Sequence, residues 1–294
     1  MKDQYTIKRG AIRTAPVGLA GLAGRTLAGA VALLLISAAF NHRAWAITGG
    51  EPDGTGHQNV GAMRFYHPAL GTICCSGTLI HPRVFLTSGH VVAAFETGEA
   101  VLLGVSFDQE VNLEDETIWR PITQAVCSYT ALHGGGHGRT DIGLVILKDP
   151  VTSVAPATLP TPGLLDDLKK AGQLAAGPQA TRFTVVGYGM VLDWPPPKAF
   201  WQDPPMRNTA QSGYLGLHDG WLSLNQNPAV GYGGTAFGDS GGPVFWPDPD
   251  SGEELLVGIT SWGGSLVGNG WYYRTDTIES LQFIQDVIDS LPAE

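Results

Sequence analysis

Gly238-Asp239-Ser240-Gly241-Gly242-Pro243 is the stretch on which the fold of this 294-residue chain turns. A serine hydroxyl is a weak nucleophile at its free pKa. It needs a base beside it and donors for the oxyanion that develops. Glycines on both sides of Ser240 allow a tight turn with backbone N–H groups aimed at one point. In a chain with 40 glycines, an ordinary glycine-rich turn would read the same way. Residues Gly238–Gly242 also match G-x-S-x-G, the nucleophile elbow of α/β-hydrolases. Chain order separates the readings. The elbow's histidine follows its serine, whereas all eight histidines here (His42, His57, His67, His81, His90, His133, His137 and His218) precede it. The α/β-hydrolase reading therefore fails, and the order His…Asp…Ser remains.

Working outward, His90 ends Phe85-Leu86-Thr87-Ser88-Gly89-His90, at the close of an apolar run that begins near Val84. A base must be rigidly placed, and the end of a strand does that. Asp141 leads Asp141-Ile142-Gly143-Leu144-Val145-Ile146-Leu147, a run that reads as a buried strand. A carboxylate there can hold the histidine's tautomer and stabilise the imidazolium. His133 and His137 lie in a glycine-rich loop with Cys127 and Asp141 nearby in sequence. Nothing in that spacing fixes metal-ligand geometry, so they read as solvated loop residues, and no metal or cofactor is expected.

Hydrophobic residues make up 43% of the chain and charged residues 15%, with 20 prolines beside the glycines. Short strands joined by turns are expected, an all-β chain rather than a helical bundle. Val101–Phe107, Ile142–Leu147, Phe183–Val186 and Leu255–Thr260 read as strands. Residues 149–178 read as a connection between two halves, with a helical patch near Leu164–Leu174. The prolines of residues 194–205 predict a surface loop. One helix is predicted at the C-terminus. Leu281, Ile284, Ile288 and Leu291 recur at helical spacing with Ile278 and Val287 beside them, and Asp276 followed by Glu279 forms an acidic capping pattern.

Residues 1–46 read as a signal peptide. They hold six of the 17 basic residues and one of the 27 acidic ones, followed by the apolar run Leu27–Phe40 and the small-x-small site Ala44-Trp45-Ala46. The run is shorter than the roughly 20 apolar residues of a membrane span. Secretion to a periplasm or the medium follows, with no membrane anchor after cleavage. Net charge is -10 for the whole chain and more negative without this segment. Phosphate backbones would repel such a protein, which argues against a nucleic-acid partner. The three cysteines, Cys74, Cys75 and Cys127, leave at least one thiol unpaired, and one bridge from Cys74 or Cys75 to Cys127 is open.

These residues resemble the trypsin/chymotrypsin-like serine proteases. The carriers are Ile47-Thr48-Gly49-Gly50, Cys75-Ser76-Gly77-Thr78-Leu79-Ile80, Thr87-Ser88-Gly89-His90, Asp141-Ile142-Gly143-Leu144, Gly187-Tyr188-Gly189, Gly238–Pro243, Ser261-Trp262-Gly263 and the final helix. The resemblance implies two six-stranded antiparallel β-barrels packed face to face, with a C-terminal α-helix. The first barrel would occupy about residues 47–150 and a linker about 151–178. The second would occupy about 179–276, and the helix about 277–291. It implies His90 as general base and acid, Asp141 as its orienter and Ser240 as nucleophile of a secreted endopeptidase acting on protein or peptide substrates. Gly238 and Ser240 would supply the oxyanion hole, and Ser261-Trp262-Gly263 would pair with substrate backbone. A free Ile47 amine would pair with Asp239, so that signal-peptide removal is itself the activating cut.

The resemblance places the floor of the specificity pocket at Gly234, followed by Thr235 and Phe237, with walls at Gly263 and Gly270. No acid stands there, which predicts a neutral, open pocket for aromatic or large aliphatic side chains rather than Lys or Arg. Val91 and Ala236 stand where the family carries cysteines, which fits a microbial source. A monomer is expected. The rival readings are a non-catalytic binding protein on the same scaffold and an esterase using the same three residues. Labelling by a serine-directed phosphonate separates the first, and substrate profiling the second.

Overall fold

The computed structural model describes residues 47–130, 140–193, 198–200, 202–263 and 268–292. The signal-peptide expectation and the His133–His137 loop lie outside the described residues. The first half contains β1 (Glu51–Pro52), β2 (Val60–His67), β3 (Gly71–His81), β4 (Val84–Thr87), α1 (Gly89–Glu96), β5 (Val101–Ser106), β6 (Ile122–Tyr129) and β7 (Asp141–Leu147). A short helix α2 (Leu164–Lys170) follows. Then come β8 (Arg182–Gly187), β9 (Val191–Asp193), β10 (Lys198–Phe200), β11 (Asn208–Leu217), β12 (Trp221–Asn225), β13 (Pro243–Pro247), β14 (Glu254–Gly263), β15 (Asn269–Arg274) and α3 (Ile278–Asp289).

The two halves are both antiparallel and differ in closure. In the second, β11-β12-β15-β14-β13-β8 close on themselves through the β11–β8 pairing, and β1 adds to the outside of β11. The first is a curled six-stranded sheet in the order β5-β2-β3-β4-β7-β6. Its edges approach at one isolated bridge, Val105 to Arg120. Closure removes sheet edges, and curling brings them together. Every residue of β4 and of β7 is buried. Strands covered on both faces read as continuous apolar runs, which is why Asp141 stands out at the head of β7.

One core cluster runs across both halves, joining Val60, Leu86 and Leu144 to Phe245, Leu256 and Ile259. Buried polar groups tie the same seam. Tyr188 donates to the Asp108 carbonyl at 2.7 Å. Arg207, 2% exposed, donates to the carbonyls of Val60 and Phe107 and pairs with Asp53 at 2.8 Å. Asp53 also holds His57, whose other ring nitrogen meets Glu254 at 2.8 Å while the ring stacks on Phe245. Burial works against charge on His57, but the two carboxylates outweigh it and raise its pKa to about 9.

Several local expectations are corrected. Lys198–Phe200, inside the stretch 194–205 where a loop was expected, pairs with Val191–Asp193 just before it in a two-stranded ribbon. Prolines prohibit ladder donors only at their own positions, so the residues flanking them still pair. The cap of α3 is Thr277, which accepts from Ser280 N at 3.1 Å. Asp276 instead pairs with Arg274 and accepts from the Leu165 amide. Ile278 is 71% exposed, while Ile284 is buried and Phe283, Val287, Ile288 and Leu291 pack on the core. All three cysteines are free. Cys74 and Cys75 lie on β3 and Cys127 on β6, strands that do not neighbour one another in the sheet.

Candidate active site

The site forms where the ends of β4 and β7 meet the loop between β12 and β13. His90 is the second residue of α1, just past the end of β4. A helix start leaves its first amides without intrahelical acceptors. Here the His90 amide finds one in Asp141 Oδ1 at 2.7 Å. The ring follows, with His90 Nδ1 3.0 Å from Asp141 Oδ2. Asp141 is fully buried, the ring 26% exposed. Ser261 Oγ also donates to Asp141 Oδ2. The carboxylate is thus fixed by three donors from two parts of the chain, and Nε2 is the ring nitrogen left without a partner among the described residues.

The loop that carries Ser240 is tied to β14, the strand of Ser261, and to β3. Gly241 N donates to the Thr260 carbonyl at 2.9 Å, next to Ser261. Ser76 on β3 clamps the same loop, its amide donating to the Ser240 carbonyl at 3.0 Å and its hydroxyl to the Gly238 carbonyl at 3.3 Å. Gly241 has φ +84°, and a Cβ there would strike the Thr87 hydroxyl and the Ser76 carbonyl. Only glycine fits that approach. Ser240 itself is half-buried, and its hydroxyl makes no hydrogen bond to His90 among the described contacts. Before substrate binds, such bonds are often long. The amides of Gly238, at φ +94°, and of Ser240 donate to no acceptor among the described residues.

Asp239, between those two amides, is fully buried. Its oxygens accept from Gly189 N at 2.8 Å and Ala236 N at 2.7 Å. Burial outweighs both bonds and pushes its pKa up to about 7. Ile47 is also fully buried, at φ +69°, and next to it Thr48 pairs with Gly234 through bonds of 2.8 and 2.9 Å. With residue 46 still attached, the Ile47 nitrogen is not bonded to Asp239.

This order and geometry agree with a comparison at family level: the trypsin model matches residues 47–280. The chain belongs to the trypsin family. That membership makes it a serine protease by family, and its fold is the trypsin fold. Lectizyme of Glossina austeni is similar, 26% identical over 210 residues that span 64% of this chain and 67% of that protein.

Among the glycines expected to line a substrate pocket stands a residue that sequence spacing did not single out. Gln226, just after β12 and 1% exposed, lies between Gly234, Gly263 and Gly270. Its Nε2 donates to Thr235 Oγ1 at 3.0 Å and to the Tyr272 hydroxyl at 2.7 Å. Of the other residues expected at the pocket, Phe237 is 63% exposed. Trp262 is 45% exposed and stacks on Trp271 at 5.1 Å. Ser261, whose backbone was expected to pair with substrate, gives its hydroxyl to Asp141. A buried Gln within Asn225-Gln226-Asn227 gives no signal of its own, because polar residues at a strand end are ordinarily solvated.

Proposed function

We propose that this trypsin-family chain is a secreted serine endopeptidase that cleaves peptide bonds through an acyl-enzyme, with a neutral rather than basic side chain before the cut. His90 takes the proton of Ser240 as the hydroxyl attacks the scissile carbonyl, and returns it to the leaving amine. Asp141 keeps the proton of the neutral ring on Nδ1, so that Nε2 is the base. The amides of Gly238 and Ser240 receive the oxyanion, and losing one such donor costs about 10²–10³ in turnover. The observation that carries the reading is the buried Asp141, bonded to both the amide and the ring of His90 beside a loop that leaves two amides unpaired. Labelling by a serine-directed fluorophosphonate tests it. Parent protein starting at Ile47 should label and Ser240→Ala should not. A parent that folds and does not label would favour the non-catalytic rival.

Activation by a cut before Ile47 belongs to the same proposal. A β-branched residue at positive φ is strained by the preceding carbonyl against its Cβ. Cleavage removes that carbonyl and creates an ammonium, the charge that the buried Asp239 carboxylate lacks among the described residues. The cut thus relieves one cost and offsets another. N-terminal sequencing of the active form should give Ile47; an active form that begins elsewhere would refute it. Secretion rests on the sequence of residues 1–46. Among the described residues no helix is long and apolar enough to cross a membrane.

A further inference from the structure

The glycines at 234, 263 and 270 look like room for a large substrate side chain, but Gln226 already takes that room. A Cβ on Gly234 would lie on the Gln226 side chain, with Cδ 2.5 Å away. A Cβ on Gly270 would meet the Tyr272 hydroxyl and Gln226 Nε2, the latter at 2.5 Å. A Cβ on Gly263 would stand 3.8 Å from Gln226 Oε1, ordinary van der Waals contact. Gly263 and Gly270 are cross-strand partners on β14 and β15 and form one wall, and the amide rises from the floor at Gly234 along that wall, in the volume a ring would need.

The amide is also held in place. Both Nε2 hydrogens are used, on Thr235 and Tyr272, whose hydroxyls are 3.2 Å apart. The Gln226 backbone amide is fixed to the Gly268 carbonyl at 3.2 Å. Burial pushes Tyr272 up to about 12, so the phenol stays protonated. Swinging the amide aside would strand buried polar groups, a larger penalty than the gain from one bond. Oε1 accepts nothing from the described residues, which leaves an acceptor at the new floor and no charge for Lys or Arg.

We propose that Gln226 closes the specificity pocket from within and selects short uncharged side chains, of the size of Ala, Ser or Thr, on the acyl side of the cut bond. The proposal rests on the protease reading above. It replaces the expectation of an aromatic or large aliphatic preference: the glycines are small because Gln226 lies against them.

The test compares the parent and Gln226→Ala, both starting at Ile47, in two assays. A small fluorophosphonate reports the nucleophile independently of the pocket. Peptide substrates differing only in Ala, Thr, Leu, Phe or Lys before the cut report selection. The parent should favour Ala and Thr. In Gln226→Ala, kcat/KM for Leu and Phe should rise at least about tenfold relative to Ala. A parent that cleaves after Phe as well as after Ala overturns the proposal, as does an unchanged ratio in a labelled variant. Absence of label in the folded parent overturns the protease reading, and the proposal with it. Where Gln226→Ala does not fold, Gln226→Ser keeps a polar group toward Thr235 and carries the same expectation.

Discussion

Asp141 and Asp239 are both fully buried, and their surroundings differ in one decisive respect. Asp141 has three donors, one of them the ring of His90, which becomes cationic when it takes a proton. Asp239 has two backbone amides and no cation among the described residues, and its pKa rises to about 7. The first pocket is complete in the uncut chain. The second is preorganised for a charge that the uncut chain does not carry. Burial is the same in both, so the difference lies in partners, and under the proposed function it separates a pocket that serves turnover from one that serves activation.

The largest effect should come from breaking the first pocket. Asp141→Asn retains the shape but favours the wrong ring tautomer, and kcat should fall by about 10⁴-fold with little change in KM. Stopped-flow or steady-state peptide hydrolysis reads this directly. A fall of tenfold or less would mean that Asp141 does not set the tautomer.

Asp239→Asn tests the second pocket. In protein starting at Ile47 it removes the proposed partner of the amine, and activity should drop by about 10²–10³-fold as the Gly238 amide loses its position. In the uncut chain the same change should not destabilise above pH 7, where it replaces an unpaired buried charge. A loss of melting temperature there equal to that in the cut protein would erase the contrast between the pockets.

The pH dependence of stability sharpens the comparison further. In the uncut chain Asp239 holds its proton up to about pH 7, while in the unfolded chain it releases it near 3.8, the ordinary value for an aspartate. The folded state then binds more protons between those values, so its contribution to stability falls as pH rises from about 4 to about 7. The effect should be on the order of a few kcal/mol. Denaturant titrations of the Ser240→Ala protein, cut and uncut, should show this decline in the uncut form alone. Identical slopes would count against pairing with Ile47.

The smallest effect is expected from Ser261→Ala. It removes one donor from Asp141 and leaves the two from His90. Activity should fall by about tenfold, in kcat rather than KM, as Asp141 holds the His90 ring less firmly. A kcat within about twofold of the parent would make Ser261 a structural partner only.

The strand pattern, the family and the chain order of His90, Asp141 and Ser240 were all legible in the sequence. Each rests on local chemistry: apolar runs such as 142–147, glycines beside Ser240, and histidines that precede it. Less legible was what each residue touches. Thr277 rather than Asp276 caps α3, because Asp276 is drawn to Arg274 and the Leu165 amide, contacts that spacing along α3 does not contain. The clamp of Ser76 on the Ser240 loop joins residues more than 160 positions apart.

The sequence by itself determined the class of fold and the order of the candidate triad. Only the tertiary structure decided that Asp239 is buried with no cation among the described residues, that Ser261 donates to Asp141, and that Gln226 lies against three glycines. The physical reason is one of reach. Backbone periodicity and turn chemistry act over a few residues and leave a trace in local spacing. Volume and hydrogen-bond partnership are set by strands that meet only after the sheet has curled and closed.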